Sequence, residues 1–280
     1  MGYFKGWYFK CCSKDKTIAF IPAYHRVGHK VTASLQIITD DEVFHIPFLS
    51  LQYQEKPLSV RIGDCFFGQK GIRLNIRKKG LCIKGMLRFS HFSPIQYDIM
   101  GWFRFIPFMQ CRHSVYSMEH DIEGWVEING IKYVFQNGKG YLEGDRGRSF
   151  PKEYIWTQSF FENGSLMLSV ADIPLLGFHF TGIIGVVLLK GREYRIATYR
   201  GASVKQIGKN IVTVKQGDCE LTAELMEKNA HPLHAPVGGR MSRIIHESPS
   251  CKARYLFSDR GVLLCDFISD RAGFEFEYNS

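Results

Sequence analysis

The side chains best able to do chemistry are densest in "GKGYLEGDRGRSFPKEYIWTQS", residues 138–159, where Tyr141, Glu143 and Asp145 precede Arg146 and Arg148, and Trp156 and Gln158 follow. Alternate residues of an extended chain share a face. Tyr141, Glu143 and Asp145 therefore point one way, and Trp156 and Gln158 share a face of the next strand once Ser149-Phe150-Pro151 turns the chain. A carboxyl can thus stand opposite an aromatic wall. In an apolar cavity Glu143 would resist ionisation and could hold a proton near neutrality, while the ring face of Trp156 could stabilise a cation. The same residues also allow Glu143 and Asp145 to pair, ionised, with Arg146 and Arg148 at a corner of the sheet. Upstream, His113 shares strand parity with Glu119 and offers either a proton acceptor or a hydrogen-bonded core histidine.

These groups need strands to hold them, and the chain is rich in strand signals. Segments such as "TASLQII", "GIRLNIR", "LCIKGMLRF", "GWVEI", "LMLSV", "CELTAELM" and "VLLCDFIS" are short, alternating or apolar, and rich in β-branched and aromatic residues. No stretch carries a comparable helical period. Turn chemistry separates them at Asn129-Gly130, Asn163-Gly164, Lys190-Gly191, Lys209-Asn210 and Arg260-Gly261, which predicts hairpin-connected antiparallel sheets. Over 280 residues this suggests two β-barrels of roughly 8 to 10 strands each, wide enough to hold a small apolar ligand. The polar run marks the expected boundary, with one β domain at 1–148 and a second at 149–280.

Several functions are set aside. The net charge of +9 suits anionic partners, but the basic residues are scattered and no nucleic-acid module accompanies them, so no nucleic-acid partner is expected. The basic group from Arg73 to Lys84 reads as a solvated hairpin around Lys79-Gly80. Eight cysteines show neither C-x-x-C nor zinc spacing and read as small apolar residues in a reducing compartment. His25-x-x-x-His29 lies in a glycine-containing loop setting and His231-x-x-His234 between prolines, so no metal is expected. P-loop, dinucleotide and G-x-S-x-G motifs are absent. The N-terminus lacks secretory and myristoylation patterns, so cytoplasmic synthesis is expected. The apolar run at 173–189 is interrupted by Pro174, His179 and three glycines and reads as two buried strands, with a peripheral membrane contact left open.

Taken in order, "KGWYFK" (5–10), "IAFIPAYHR" (18–26), "CRHSVYSMEHDIEGWVEING" (111–130), the run at 138–159, "PLLGFHFTGIIGVVLLKGREYRIATYRGASV" (174–204) and "HAPVGGRMSRIIHES" (234–248) resemble the tocopherol cyclase family. The resemblance implies an all-β fold of two lipocalin-like antiparallel barrel halves, akin to carotenoid hydratase-like and pericyclase-like proteins, with a ligand site in or between them. It implies ring closure of a prenylated hydroquinone to a chromanol. The phenolic oxygen adds to the nearest trisubstituted alkene, no redox change occurs, and no cofactor is required.

That chemistry needs an acid for the alkene, stabilisation of a tertiary cation, an acceptor for the phenol proton and a dry channel. Glu143 and Asp145 are the candidate acids, and His113 is the candidate acceptor. Tyr141, Trp156 and Gln158 are expected at the substrate. Trp7, Tyr8, Phe178, Thr198, Tyr199 and Met241 match family motif positions and are expected to line the cavity. Arg146 and Tyr154 stand where the family commonly has tryptophans, which puts the substrate's identity in doubt. The partner expected is a hydrophobic small molecule, either transformed or, as the alternative, carried or sensed without reaction.

Overall fold

The computed structural model describes residues 2–107, 109–175, 177–227 and 231–278. The first sheet has eleven strands: β1 (Gly2–Cys12), β2 (Thr17–Val27), β3 (Lys30–Thr39), β4 (Val43–Leu49), β5 (Tyr53–Lys56), β6 (Ser59–Ile62), β7 (Cys65–Gly68), β8 (Gly71–Lys78), β9 (Leu81–Phe89), β10 (Cys111–Ile128) and β11 (Ile131–Gly147). The second has ten: β12 (Tyr154–Phe161), β13 (Gly164–Leu175), β14 (Phe178–Leu189), β15 (Arg192–Ala197), β16 (Ser203–Gly208), β17 (Ile211–Gln216), β18 (Cys219–Glu227), β19 (His231–Val237), β20 (Arg240–Asp259) and β21 (Val262–Glu277). Each half therefore exceeds the expected strand number or sits at its upper end, because long strands and short edge strands are interleaved. All pairings are antiparallel, and the turn residues do what their chemistry suggests. Asn129, Asn163, Lys190 and Arg260 take positive φ at hairpin turns. The run at 173–189 falls on the end of β13, a turn at Gly177 and β14, with Leu176 outside the described residues; it is buried only at 183–187, while Phe178, His179 and Thr181 are exposed because the hairpin end extends past the covered part of the sheet.

Chain order alone does not place the middle strands. The first strand β1 lies between β2 and the last strand of its sheet, β11. In the second sheet β12 likewise lies between β13 and the last strand, β21. These closing strands are buried on both faces. Along β1, Trp7, Phe9 and Cys11 enter the core of the first half with Phe20, Leu35 and Phe67. Tyr8, from the other face, joins Tyr141, Tyr154, Trp156, Met167 and Val186 in a separate core between the halves. On β12, Ile155 packs into the core of the second half with Leu168, Val214, Tyr255 and Phe257. This is why residues 7–12 and 154–159 are buried without interruption, where an alternating strand on an open sheet would show every second residue to water. Each large apolar side chain so buried contributes about 1.5–3 kcal/mol.

Polar groups caught between the halves are paired across them. The ammonium of Lys10, which is fully buried, donates to Gln158 Oε1 at 3.0 Å and to the Arg271 carbonyl at 2.8 Å. Gln36 exchanges two 3.1 Å hydrogen bonds with the backbone of His234, and Arg271 meets Asp40 at 3.2 Å. Buried polar atoms without such partners would oppose association of the halves.

The strand β10 is bent by register shifts at Val115/Ser117, Ser117/His120 and Ile122/Gly124. An extra residue reverses which face the following side chains take. The shared parity expected of His113 and Glu119 is lost for this reason: His113 faces the space between the halves, while Glu119 binds Lys139 at 2.7 Å near the surface. Gly124 makes the third shift possible, with φ at +134° and the Met86 carbonyl oxygen 2.1 Å from where a β-carbon would stand. Gly124→Ala should cost about 2 kcal/mol or more of unfolding free energy. Gly130→Ala, with open space at its turn, should cost less; thermal melts of both variants check the order.

Candidate functional site

Two rows of side chains, one from each sheet, face each other across the join. In the first sheet, register places Tyr8 of β1, Glu143 of β11 and Val115 of β10 side by side. The adjacent row is Gly6, Asp145 and His113. In the second sheet, Trp156 of β12 sits beside Glu275 of β21, and Glu275 beside Glu247 of β20. Between the rows lies a cavity of about 160 Å³, walled by these residues other than Val115 and by Phe4, Met109, Ile173, Phe180, Ile184 and Met241.

Glu143 is the point where the rows meet. Its Oε2 accepts from Tyr141 Oη at 2.6 Å and from Trp156 Nε1 at 3.0 Å, and lies 3.1 Å from His113 Nε2. The other imidazole nitrogen, Nδ1, lies 3.0 Å from Asp145 Oδ1, an oxygen that also accepts from Cys111 Sγ at 3.4 Å. Burial alone would lower the His113 pKa. The charges of Glu143 and Asp145, and their hydrogen bonds, outweigh it and raise the pKa well above the usual 6.5. The ring is therefore an imidazolium at neutral pH, held between the side chains of Glu143 and Asp145. Trp156 is held edge-on by Tyr8 at 5.3 Å between ring centres, so its indole direction is fixed from both ends.

His113, Glu143 and Asp145 each bring one potential ligand atom within 4.8 Å of the others. They do not converge as a metal needs. Each imidazole nitrogen faces a different carboxylate, whereas a metal at about 2 Å takes one nitrogen and draws all donors to the same side.

The opposite wall holds two carboxyls that the sequence reading overlooked. Burial pushes Glu247 up to about 8; the neighbouring Tyr8 hydroxyl and Lys10 oppose this, and the charge of Glu143 adds to it. Glu275 is likewise raised well above 4.5, by burial and then by the charge of Glu247, although Tyr154 Oη donates to its Oε2. Two carboxyls directly opposed on neighbouring strands, 2% and 8% exposed, cannot both ionise cheaply, so the pair retains a proton near neutrality. Glu247 Oε1 and Tyr8 Oη are buried at the cavity without a hydrogen-bond partner. Such atoms are costly in a core and useful at a binding site.

Of the remaining expected residues, Trp7, Tyr8, Trp156 and Met241 line the cavity, and Tyr141 stands behind Glu143. Gln158 lies outside it, spent on Lys10. Thr198 bonds the Ile183 amide and the Thr181 carbonyl, and Tyr199 bonds the Ile99 carbonyl and packs on Phe103, so both brace the wall from outside. Phe178 is not in the cavity. It is 79% exposed, because it lies at the outer end of the β13–β14 hairpin, beyond the reach of the first sheet. Tyr154, in place of a tryptophan, supplies the hydroxyl that meets Glu275. The set-aside His25 is buried at the cavity wall and bonded to Ser34, its pKa lowered by burial to about 4.

Residues 78–174 match the tocopherol cyclase-like family, and this stretch contains His113, Tyr141, Glu143, Asp145 and Trp156. The resemblance noted in the motifs thus holds at the site's first wall. A chloroplastic tocopherol cyclase of Zea mays is 29% identical over 63 residues, and a similarly described protein of Oryza sativa subsp. japonica matches to the same extent. The match spans 22% of this chain and 13% of each relative. Over 98% of this chain and 88% of theirs, the structures of CghA bound to Sch210972 and of kievitone hydratase from Nectria haematococca share the fold, with TM-scores of 0.62 and 0.55 at 9% and 8% identity. An AttH candidate from Nitrosomonas europaea aligns over 99% of this chain and 93% of its own, with a TM-score of 0.51 at 10% identity. The chain is thus a two-half, lipocalin-like all-β protein.

The raised Glu247 pKa has a consequence for stability. The folded protein binds this proton more tightly than the unfolded chain, so the contribution is complete below the ordinary value of 4.5 and is lost as pH rises toward about 8. Wild-type stability should fall across that window more steeply than that of Glu247→Gln; denaturant unfolding at several pH values checks it. Equal slopes would mean Glu247 is ionised in the folded state.

Proposed function

We propose that this chain closes a ring on an isoprenoid-bearing hydroquinone, without redox change, using the two walls of the cavity for opposite proton transfers. The observation that carries this reading is the facing of a proton-holding carboxyl pair, Glu247 and Glu275, against the Glu143–His113–Asp145 set across aromatic side chains. In this scheme the neutral Glu247 carboxyl donates its proton to the less substituted alkene carbon. The cation forms at the tertiary carbon, where the ring faces of Tyr8 and Trp156 and the negative charge of Glu143 stabilise it. The phenolic oxygen then bonds to that carbon, and its proton passes to Glu143. Return of the proton from Glu143 to Glu247 restores the starting state, so product and substrate are isomers.

His113 acts here on Glu143. As an imidazolium held by Asp145, it keeps Glu143 a carboxylate until the phenol proton arrives. The roles differ from those expected from the resemblance, in which Glu143 and Asp145 are the candidate acids and His113 the candidate acceptor. The apolar walls exclude water, which would otherwise capture the cation as an alcohol.

Incubation with a prenylated hydroquinone, followed by mass spectrometry and chromatography, should yield a product of unchanged mass. Glu247→Gln and Glu143→Gln should each slow its formation by roughly 10²–10⁴-fold, and the wild-type rate should fall above about pH 8 as Glu247 ionises. Turnover unchanged in both variants would overturn the assignment. Tight retention of the hydroquinone with no product would instead favour a carrier or sensor.

A further inference from the structure

Among the described residues, the most exposed large aromatic side chains lie near the rim of the cavity. A short turn, Gly101–Phe105, carries Trp102 and Phe105 outward, 74% and 64% exposed, with their rings 6.2 Å apart. Phe103 between them turns inward and packs on Phe180 at 5.7 Å and on Tyr199 at 5.6 Å; Phe103 and Phe180 both line the cavity. Phe178, two residues before Phe180 on the same face of β14, is 79% exposed. Three large aromatics thus project into water around residues that form the cavity wall. A monomer does not expose such a cluster without a use for it.

The charges at this end have one sign to spare. The acids Asp172 and Glu193 are already held, by His179 at 2.6 Å and Arg195 at 2.7 Å. Asp98 caps the turn through the Met100 amide. Arg104 is exposed and stacks on Phe105 at 4.5 Å, and the exposed Arg200 donates to the Tyr97 hydroxyl. The chain as a whole carries +9. Projecting tryptophan and phenylalanine beside arginine is the surface that settles at the headgroup level of a bilayer, with rings reaching the acyl boundary and cations at the phosphates.

We infer that this rim, formed by Trp102, Arg104, Phe105 and Phe178, docks on an anionic phospholipid bilayer and opens the cavity directly to it. A ligand with a long apolar tail partitions into lipid, and a mouth seated there lets it enter without crossing water. The inference holds whether the cavity transforms its ligand or carries it.

Co-sedimentation with phosphatidylcholine vesicles, with and without phosphatidylglycerol, tests it in the full chain. Binding should be stronger to the vesicles containing phosphatidylglycerol. The triple variant Trp102→Ser, Phe105→Ser, Phe178→Ser should lose at least about tenfold in partitioning, since each ring forfeits its burial in lipid. Arg104→Glu should weaken binding to the anionic vesicles alone. Of the four tryptophans, Trp7 and Trp156 are buried and Trp125 is half-buried on β10 beneath the Lys132 ammonium, so a blue shift of emission on adding vesicles reports Trp102 and should vanish in Trp102→Phe. That substitution keeps an aromatic ring in place and guards against misfolding as an explanation. No vesicle binding, equal binding by the triple variant, or concentration-dependent self-association abolished by it would overturn the inference, the last assigning the rim to a second copy of the chain. Neither readout involves turnover, so failure here is separate from failure of ring closure.

Discussion

The hydrogen bond from Trp156 to Glu143 joins the two halves at the centre of the molecule, and the geometry of the site depends on it. Its donor comes from the first strand of the second sheet and its acceptor from the last strand of the first. Both strands are paired on each edge and, around this bond, buried on each face, so neither can shift there without disturbing two cores. The bond fixes the indole ring against Tyr8, fills one acceptor position of Glu143, and leaves the imidazole of His113 to approach the same oxygen. Lys10 and Gln158 repeat the arrangement one turn of the pleat away, with a buried cation satisfied across the join. A polar seam inside an apolar interface tolerates few alternatives, because each unpaired group would carry the full cost of its desolvation.

That seam explains how one cavity can hold carboxyls in two states. Glu143 is surrounded by donors and a cation, which suit an ionised acceptor. Glu247 and Glu275 are buried together, and their mutual repulsion favours leaving a proton on the pair. In the proposed reaction, acid and acceptor are separated by environment, with the aromatic rings of Tyr8 and Trp156 between them. Reactions that pass through a carbocation need this separation, since a single group cannot donate and accept within one step.

Much of this was legible in the amino-acid sequence, and what was not has physical causes. Hairpin turns at Asn129-Gly130 and Asn163-Gly164, and the common face of Glu143 and Asp145, follow from local chemistry alone. Glu247 did not stand out because nothing local in "RIIHES" marks it as buried, and Glu275 did not because in "FEFEY" the glutamates alternate with phenylalanine as on a strand with one face in water. That holds for Glu277, which meets Arg243 near the surface, but Glu275 is covered by the other half of the molecule. His113 and Glu119 parted because irregularities in β10 break the period of two that parity arguments assume. Phe178 matched a motif yet sits at a hairpin end, where matching sequence says nothing about which side chains the partner sheet can cover.

The central claim is that the buried carboxyl pair on the wall facing His113 carries a proton at neutral pH. Infrared spectroscopy of the full chain at pH 7 measures this directly through the carbonyl stretch of protonated carboxyls. The account predicts such a band, downshifted in D₂O, diminished in Glu247→Gln and retained in Glu143→Gln. A band that persists in Glu247→Gln and disappears in Glu143→Gln would place the proton on the other wall and contradict the account.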